Sequence, residues 1–312
     1  MKGVLIIDMG GANSPEELKI FLEHMFKDPY ILPFGKLGRN LLSFIISNTR
    51  YKKSWKKYEL IGGSPLIEAT KKTAAALQNK LSTDYHVKYA FSYSSPFIKD
   101  SIKSFTDEGI TEITVIPLYP QSSFSTTSSV AQDVKNAVSE NKDIKITFVK
   151  EFYNHDGFIN FWTNLILNHS KRNNYTNPLL LFSAHSIPKY LVDKGDTYPK
   201  AIEASAKLIA AKTGFNFAFA FQSGMKRGKW IGPDTKIHLK ELAEKGIEEI
   251  IIIPISFINE NLETLYDIKN DIVPYGKNKL GIKNISRVEI PQATDDFIML
   301  LKDIVEENNL KS

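Results

Sequence analysis

GITEITVIPL at residues 109–118 and GIEEIIIIPI at residues 246–255 are two versions of one pattern. Each opens on a glycine, runs through branched apolar residues and ends at a proline before a serine-bearing loop. A nearly unbroken apolar run of this length reads as a strand of a parallel sheet buried on both faces. Both runs follow an amphipathic stretch that ends in an acidic turn, Asp107-Glu108 in one case and Glu244-Lys245 in the other. Both stretches follow an aromatic-rich segment, YAFSY at 89–93 and FAFAFQ at 217–222. Two βα units can look alike by chance, but the match across strand, helix and strand favours two similar α/β domains.

Outward from this pair, the same alternation fills the chain. VLIIDM (4–9), VKYAFSY (87–93), EITVIPL (112–118) and IKITFV (144–149) read as strands of the first half. PLLLFSA (178–184), NFAFAFQ (216–222), EIIIIPI (249–255) and SRVEI (286–290) read as strands of the second. Helix starts lie between them. Ser14-Pro15-Glu16-Glu17 supplies an N-cap, a proline and two acids for a first turn, and Pro233-Asp234 precedes a helix that ends near Gly246. Repeated strand, helix, strand predicts an α/β fold with two Rossmann-like domains, each a parallel sheet flanked by helices. The expected spans are 1–155 and 156–312. Ligands of open parallel sheets bind beyond the carboxyl ends of the strands, and clefts between domains are favoured. The loops after residues 9, 93, 118, 184, 222 and 255 therefore hold the candidates.

Composition excludes several classes. The 312 residues are 42% hydrophobic and 24% charged, an ordinary globular balance. No apolar run approaches the ~20 residues of a membrane-spanning helix. The opening MKGVLIIDMGGANSPEEL has too short an apolar run for a signal peptide, carries Asp8 and leads into a helix start, so a cytoplasmic protein is expected. The absence of cysteine excludes disulfides, zinc ribbons and cysteine-ligated iron–sulfur clusters. Any metal must be held by His, Asp, Glu or polar oxygens. The net charge of +5 weakly favours anionic partners such as nucleic acid, a carboxylated small molecule or an acidic lipid surface.

The loops carry distinct chemistry. Ala184-His185-Ser186-Ile187-Pro188 places a histidine at a strand tip, where it can serve as metal ligand, general base or hydrogen-bonded structural residue. In the loop after 255, Glu260 and Glu263 stand three apart. On a helix they share a face and can bind a cation or relay protons, or simply favour the helix dipole. The hydroxyl-rich loop Tyr119 to Ser129 could cradle a phosphate, but it has no lysine and no P-loop glycines. Met9-Gly10-Gly11 lacks the third glycine of a dinucleotide fingerprint. Residues 50–58, RYKKSWKKY, interleave five basic residues with three aromatics beside the apolar LLSFII (41–46). That run suits a nucleic-acid patch, a membrane surface, a flat aromatic ligand with carboxylate arms, or a solvated helix face.

Several blocks in order now identify a family. They are Met9-Gly10-Gly11; Ile61-Gly62-Gly63-Ser64-Pro65-Leu66; Pro117-Leu118-Tyr119-Pro120-Gln121 with Ser125-Thr126-Thr127; and Phe182-Ser183-Ala184-His185-Ser186 with Lys194-Gly195-Asp196-Thr197-Tyr198-Pro199. Phe221-Gln222-Ser223 with Trp230-Ile231-Gly232-Pro233, then Glu263-Thr264-Leu265-Tyr266, complete them. The sequence resembles ferrochelatase along nearly its whole length. The resemblance implies two similar α/β domains with a porphyrin cleft between them. It implies that His185 and Glu263 handle the metal and accept protons, with Glu260 beside them in catalysis. Met9, Arg50, Tyr58, Ser64, Tyr119, Trp230, Phe257 and Asn261 then bind the macrocycle or line its pocket. The basic aromatic segment is thereby assigned to porphyrin and not to nucleic acid. A peripheral membrane contact through 41–58, at the inner membrane, fits the same segment.

The implied reaction inserts Fe(2+), as substrate, into protoporphyrin IX to form haem, with no organic cofactor and no iron–sulfur cluster. The Pro-Gln-Ser and Ser-Thr-Thr segments look like the protoporphyrin-using branch more than the coproporphyrin III branch. Two departures stand out. The family usually has Asp and His where this chain has Glu260 and Asn261, and a basic residue where Ser92 stands. The rivals are a chelatase for another tetrapyrrole, which should lack the block 41–66, and a non-catalytic porphyrin- or haem-binding protein, which Asn261 motivates. The oligomeric state is open.

Overall fold

In the computed structural model, described for residues 1–139, 143–224 and 228–309, the apolar runs form two separate four-stranded sheets. The strands are β1 (Lys2–Asp8), β2 (Tyr85–Phe91), β3 (Glu112–Pro117), β4 (Lys145–Phe148), β5 (Leu179–His185), β6 (Phe217–Gln222), β7 (Glu249–Ile253) and β8 (Asn284–Arg287). Every pairing is parallel. The orders are β2-β1-β3-β4 and β6-β5-β7-β8, the same arrangement twice. Parallel neighbours require crossovers, and helices supply them. Val4–Ile7, Leu180–Phe182 and Ile250–Ile253 have no solvent exposure, as two covered faces require.

The repeat extends to the turns. Gly109 and Gly246 both adopt left-handed backbone, at φ 74° and 78°. The residue after each closes the same bond, Ile110 N to Phe105 O at 2.9 Å and Ile247 N to Leu242 O at 3.1 Å. A glycine is favoured there because it has no Cβ to clash. The expected helix starts are also present. Ser14 Oγ accepts the Glu17 amide at 3.1 Å, and Asp234 Oδ1 accepts the amides of Lys236 and Ile237.

The first compact unit comprises Met1–Glu151 and the segment from Gln292 onward; the second is Phe152–Pro291. The sequence reading placed all of 156–312 in the second domain. The final helix, Asp295–Asn309, instead packs on helix Leu66–Lys80 of the first unit. It buries Phe297, Ile298, Leu300, Leu301, Ile304 and Val305. An amphipathic period shows that a helix has a core face but not which core receives it.

Two further details shape the sheets. The outer edge of β2 is closed by side chains. Gln78 donates to Tyr85 O at 3.0 Å and accepts from Val87 N at 2.7 Å, while Ser101 donates to Tyr89 O at 2.9 Å. An amide side chain thus takes the place of a neighbouring strand and blunts the edge. In the second unit, β8 stops at Arg287 and not at Ile290, where the sequence pattern ended it. The Ile290 amide donates to the Glu260 carboxylate at 2.9 Å and leaves the ladder.

His169 lies buried in the second unit, hydrogen-bonded to Ser286 Oγ at 2.7 Å; Tyr175 also bonds that hydroxyl, at 2.6 Å. Burial holds this imidazole below its ordinary pKa, chiefly because the charged form loses its hydration, with Arg172 adding to the effect. The unfolded chain then binds more protons than the folded one as pH falls through ~6.5, so stability is lost on the acid side. We expect His169→Gln to flatten the decline of the urea midpoint between pH 7.5 and 5.5. Parallel declines in the two proteins would show that His169 contributes nothing to it.

Candidate active site

The predicted site residues divide between the two units. In the first, Met9 follows β1, Arg50 and Tyr58 lie on helix Lys36–Glu59, Ser64 lies before helix Leu66–Lys80, and Tyr119 follows β3. The loop after β1 is short of space. A Cβ built on Gly11 would lie 2.1 Å from Ser64 Oγ. Ser64 in turn donates its amide to Ala12 O at 3.1 Å. The Met9-Gly10-Gly11 block and the Gly63-Ser64 block are therefore two sides of one contact. The glycines serve this close packing, which is why no dinucleotide fingerprint completes them.

Met9 is fixed at its backbone. Its amide donates to the buried Asp8 carboxylate at 2.7 Å, and its carbonyl accepts Tyr93 N at 3.1 Å. Tyr119 is raised well above the usual phenol range, first by burial and next by the Asp8 charge; a hydrogen bond with the Ser92 side chain works against this. Ser92 thus meets Tyr119. Tyr58 is buried and stacks on Trp55, with ring centroids 6.2 Å apart and planes 5° from parallel. Arg50 is exposed.

The serine-rich loop after Tyr119 is tied down by Asp28, which no sequence motif marks. Asp28 accepts hydrogen bonds from Tyr93 Oη at 2.6 Å, from the Ser129 hydroxyl and from Tyr30 N at 2.7 Å. These hydroxyls hold a buried carboxylate. Nearby Asp133 is raised to about 6 by burial and by the Asp28 charge.

In the second unit, His185 ends β5 and is half-buried. Its backbone is gripped on both sides: its amide donates to Ser256 Oγ at 3.1 Å, and its carbonyl accepts Tyr198 Oη at 3.1 Å. Its Nδ1 lies 2.6 Å from the Ser186 carbonyl oxygen. A carbonyl only accepts, so Nδ1 carries the hydrogen and the neutral ring keeps its lone pair on Nε2. That nitrogen can take a proton or a metal. Tyr198 belongs to the quoted Lys194-to-Pro199 block, and the Asp196 carboxylate accepts its amide at 2.9 Å. Holding the histidine backbone explains why that block contains a tyrosine.

Trp230 is half-buried and bridges to Pro188, three residues past His185. Ser186 Oγ donates to Ile231 O at 2.8 Å and joins the two segments. Phe257 and Asn261 follow Ser256 in the loop after β7, which ends in the π-helix Glu263–Ile272. Glu263 is the first residue of that helix and half-buried. Asn261 is its cap: Asn261 Oδ1 accepts Thr264 N at 2.9 Å, and Thr264 Oγ1 accepts Asn261 N at 3.0 Å. This is a reciprocal capping box with threonine in the third position.

Glu260 has both oxygens engaged. Oε1 accepts Arg287 Nη1 at 2.8 Å and Ile290 N at 2.9 Å, and Oε2 accepts the Thr264 hydroxyl. The Arg287 and Glu260 side chains are only 4% and 13% exposed. Arg287 escaped the sequence reading, since the expected strand SRVEI also holds Ser286 and Glu289 and so did not mark Arg287 as buried.

Comparison with known proteins agrees with these blocks. The family model described as Ferrochelatase matches residues 1–309. The ferrochelatase of Aquifex aeolicus (strain VF5) is 36% identical over 311 residues, covering 98% of each chain. That of Campylobacter concisus (strain 13826) is 34% identical over 307 residues, covering 95% of this chain and 94% of its own. Among solved structures, SirB from Bacillus subtilis with Fe3+ superposes with a TM-score of 0.58 at 14% identity, over 97% of this chain and 95% of its own. CbiX, the terminal enzyme for biosynthesis of sirohaem in denitrifying bacteria, gives 0.53 at 13% identity, over 98% and 99%. At such identities the two structures speak for the fold alone. The duplicated sheet and the histidine at the tip of β5 are common ground for sequence and structure, and with a match that runs from the first strand to the last helix the chain belongs to the ferrochelatase family.

Proposed function

We propose that this protein inserts ferrous iron into protoporphyrin IX to form haem. The observation that carries the reading is the 2.6 Å contact of His185 Nδ1 with the Ser186 carbonyl, which assigns the hydrogen to Nδ1 and leaves the Nε2 lone pair at a strand's carboxyl end. Free-base porphyrin carries two inner N–H protons, and both must leave as iron sheds its water. A neutral imidazole accepts one, and the Glu263 carboxylate accepts or passes on the other. Nitrogen and oxygen donors bind ferrous iron less tightly than thiolates do, so the metal can be handed to the ring. Neither a redox step nor an organic cofactor is required.

The remaining residues serve the macrocycle. Arg50, exposed on its helix, pairs with a propionate. Trp55, half-buried and stacked on the buried Tyr58, offers an aromatic face to a flat ligand. Met9, Ser64, Tyr119, Trp230, Phe257 and Asn261 line the binding surface, and contacts along the ring supply the energy that bends it and exposes its nitrogen lone pairs. Asn261 already has work as a helix cap, which supports the catalytic reading over that of a passive porphyrin binder.

The same helix supports a peripheral membrane contact in the cytoplasm, at the inner membrane. Leu37, Leu41, Phe44 and Ile45 are 88%, 62%, 60% and 46% exposed. Their spacing puts them on one stripe of Lys36–Glu59, whose later turns carry Arg50, Lys52, Lys53, Lys56 and Lys57. An apolar stripe with a basic flank suits an anionic lipid surface that also holds a poorly soluble porphyrin. No helix among the described residues is long and apolar enough to cross a membrane.

Three outcomes follow. His185→Ala should lower the rate of iron insertion by ~10²–10⁴-fold, the usual contribution of a positioned acid–base group, while porphyrin binding measured by fluorescence stays near wild type; near-normal turnover removes the mechanism. Arg50→Ala should raise the porphyrin KM by up to about a hundredfold, since a charge-assisted bond is worth roughly 1.5–3 kcal/mol and ~1.4 kcal/mol is tenfold. Unchanged porphyrin kinetics together with salt-sensitive duplex binding lost in that variant would instead favour nucleic acid. Leu41→Glu with Phe44→Glu should abolish co-sedimentation with anionic vesicles and leave kcat on detergent-dispersed porphyrin intact, whereas undiminished sedimentation would remove the membrane contact.

A further inference from the structure

The π-helix that presents Glu263 is fixed at its first turn by four residues. Thr264, wholly buried, donates its hydroxyl to Glu260 Oε2, accepts the Asn261 amide at 3.0 Å and gives its own amide to Asn261 Oδ1 at 2.9 Å. Glu260 in turn accepts Arg287 Nη1 and the Ile290 amide on Oε1. Arg287 is anchored at the end of β8, where Nη1 also donates to Val288 O at 3.1 Å. A continuous line of contacts therefore runs from the sheet to the residue beside Glu263.

We propose that Arg287 is a positioning residue for Glu263, acting through Glu260, and that Glu260 carries this contact in place of protons. The proposal rests on the haem-forming reading above. With two donors on Oε1 and the Thr264 hydroxyl on Oε2, the Glu260 carboxylate is the counter-charge of a buried guanidinium. Burying an ion without its partner is strongly unfavourable. Thr264 adjoins Glu263, so release of Thr264 moves the Glu263 backbone directly. Misplacing a reacting group by about 1 Å can cost 10²-fold in rate.

The test compares Arg287→Gln, Arg287→Lys, Glu260→Gln and the double variant Arg287→Met with Glu260→Met. Arg287→Gln should lower kcat by about 10- to 100-fold with porphyrin KM changed less than about threefold. Amide hydrogen exchange over 263–268 should quicken at least tenfold, with β5 and β6 unaffected. Arg287→Lys should recover part of both losses. Glu260→Gln keeps an oxygen acceptor but loses the counter-charge, so it should lower the melting temperature and leave the shape of the pH–rate profile as in wild type. The double variant removes both charges and leaves neither ion buried alone, so it should be more stable than either single variant. Its melting temperature should recover while kcat stays low. Wild-type kcat and exchange in Arg287→Gln, a reshaped pH profile in Glu260→Gln, or restored kcat in the double variant each overturn the proposal. If the wild-type protein inserts no metal, the haem-forming reading fails by itself, and the exchange measurements still decide whether Arg287 orders the helix start.

Discussion

The bond between His185 Nδ1 and the Ser186 carbonyl is the constraint on which the chemistry depends. In the proposed reaction it occupies one ring nitrogen and leaves the other for proton or metal. Every neighbouring contact serves to keep that geometry. The Ser256 hydroxyl and the Tyr198 phenol hold the histidine backbone, and the Ser186 side chain ties the turn to the Trp230 segment. Ser256 is also where the chain departs toward Phe257, Asn261 and Glu263, so one hydroxyl couples the loops at the carboxyl ends of β5 and β7. For the proposed role of His185 as proton acceptor, a tautomer and backbone settled beforehand are an advantage.

The duplicated architecture gives the two units loops of like position and unlike chemistry. Both units run their strands in the same order, and both finish a helix on a left-handed glycine before the central apolar strand. What differs is the loop chemistry. The first unit uses close packing of Gly11 on Ser64 and a phenol–serine contact between Tyr119 and Ser92. The second uses imidazole, carboxylates and a buried ion pair. A shared scaffold with separate loop chemistry is how parallel α/β folds acquire function.

Much of this was legible in the sequence because burial on both faces leaves an unmistakable apolar run. All eight expected strands are present, and the capped helix starts at Ser14 and Asp234 form as read. The expected end of β8 at Ile290 was not, because the competing acceptor, Glu260, lies 30 residues earlier. The destination of the last helix was equally hidden, since periodicity names a face and no partner. Among site residues, the strand-tip histidine was visible from position. The roles of Asp28, Tyr198 and Arg287 depend on partners distant in the chain, and a single sequence does not encode pairings of that kind. Asn261 looked like the loss of a proton carrier; its amide closes a capping box.

The account stands or falls on metal insertion itself. Anaerobic incubation of the purified protein with ferrous iron and either protoporphyrin IX or coproporphyrin III, followed by absorbance, measures it directly. The account predicts catalytic conversion of protoporphyrin IX to the iron complex, faster than conversion of coproporphyrin III. Stoichiometric porphyrin binding without turnover, or turnover confined to coproporphyrin III, would contradict it.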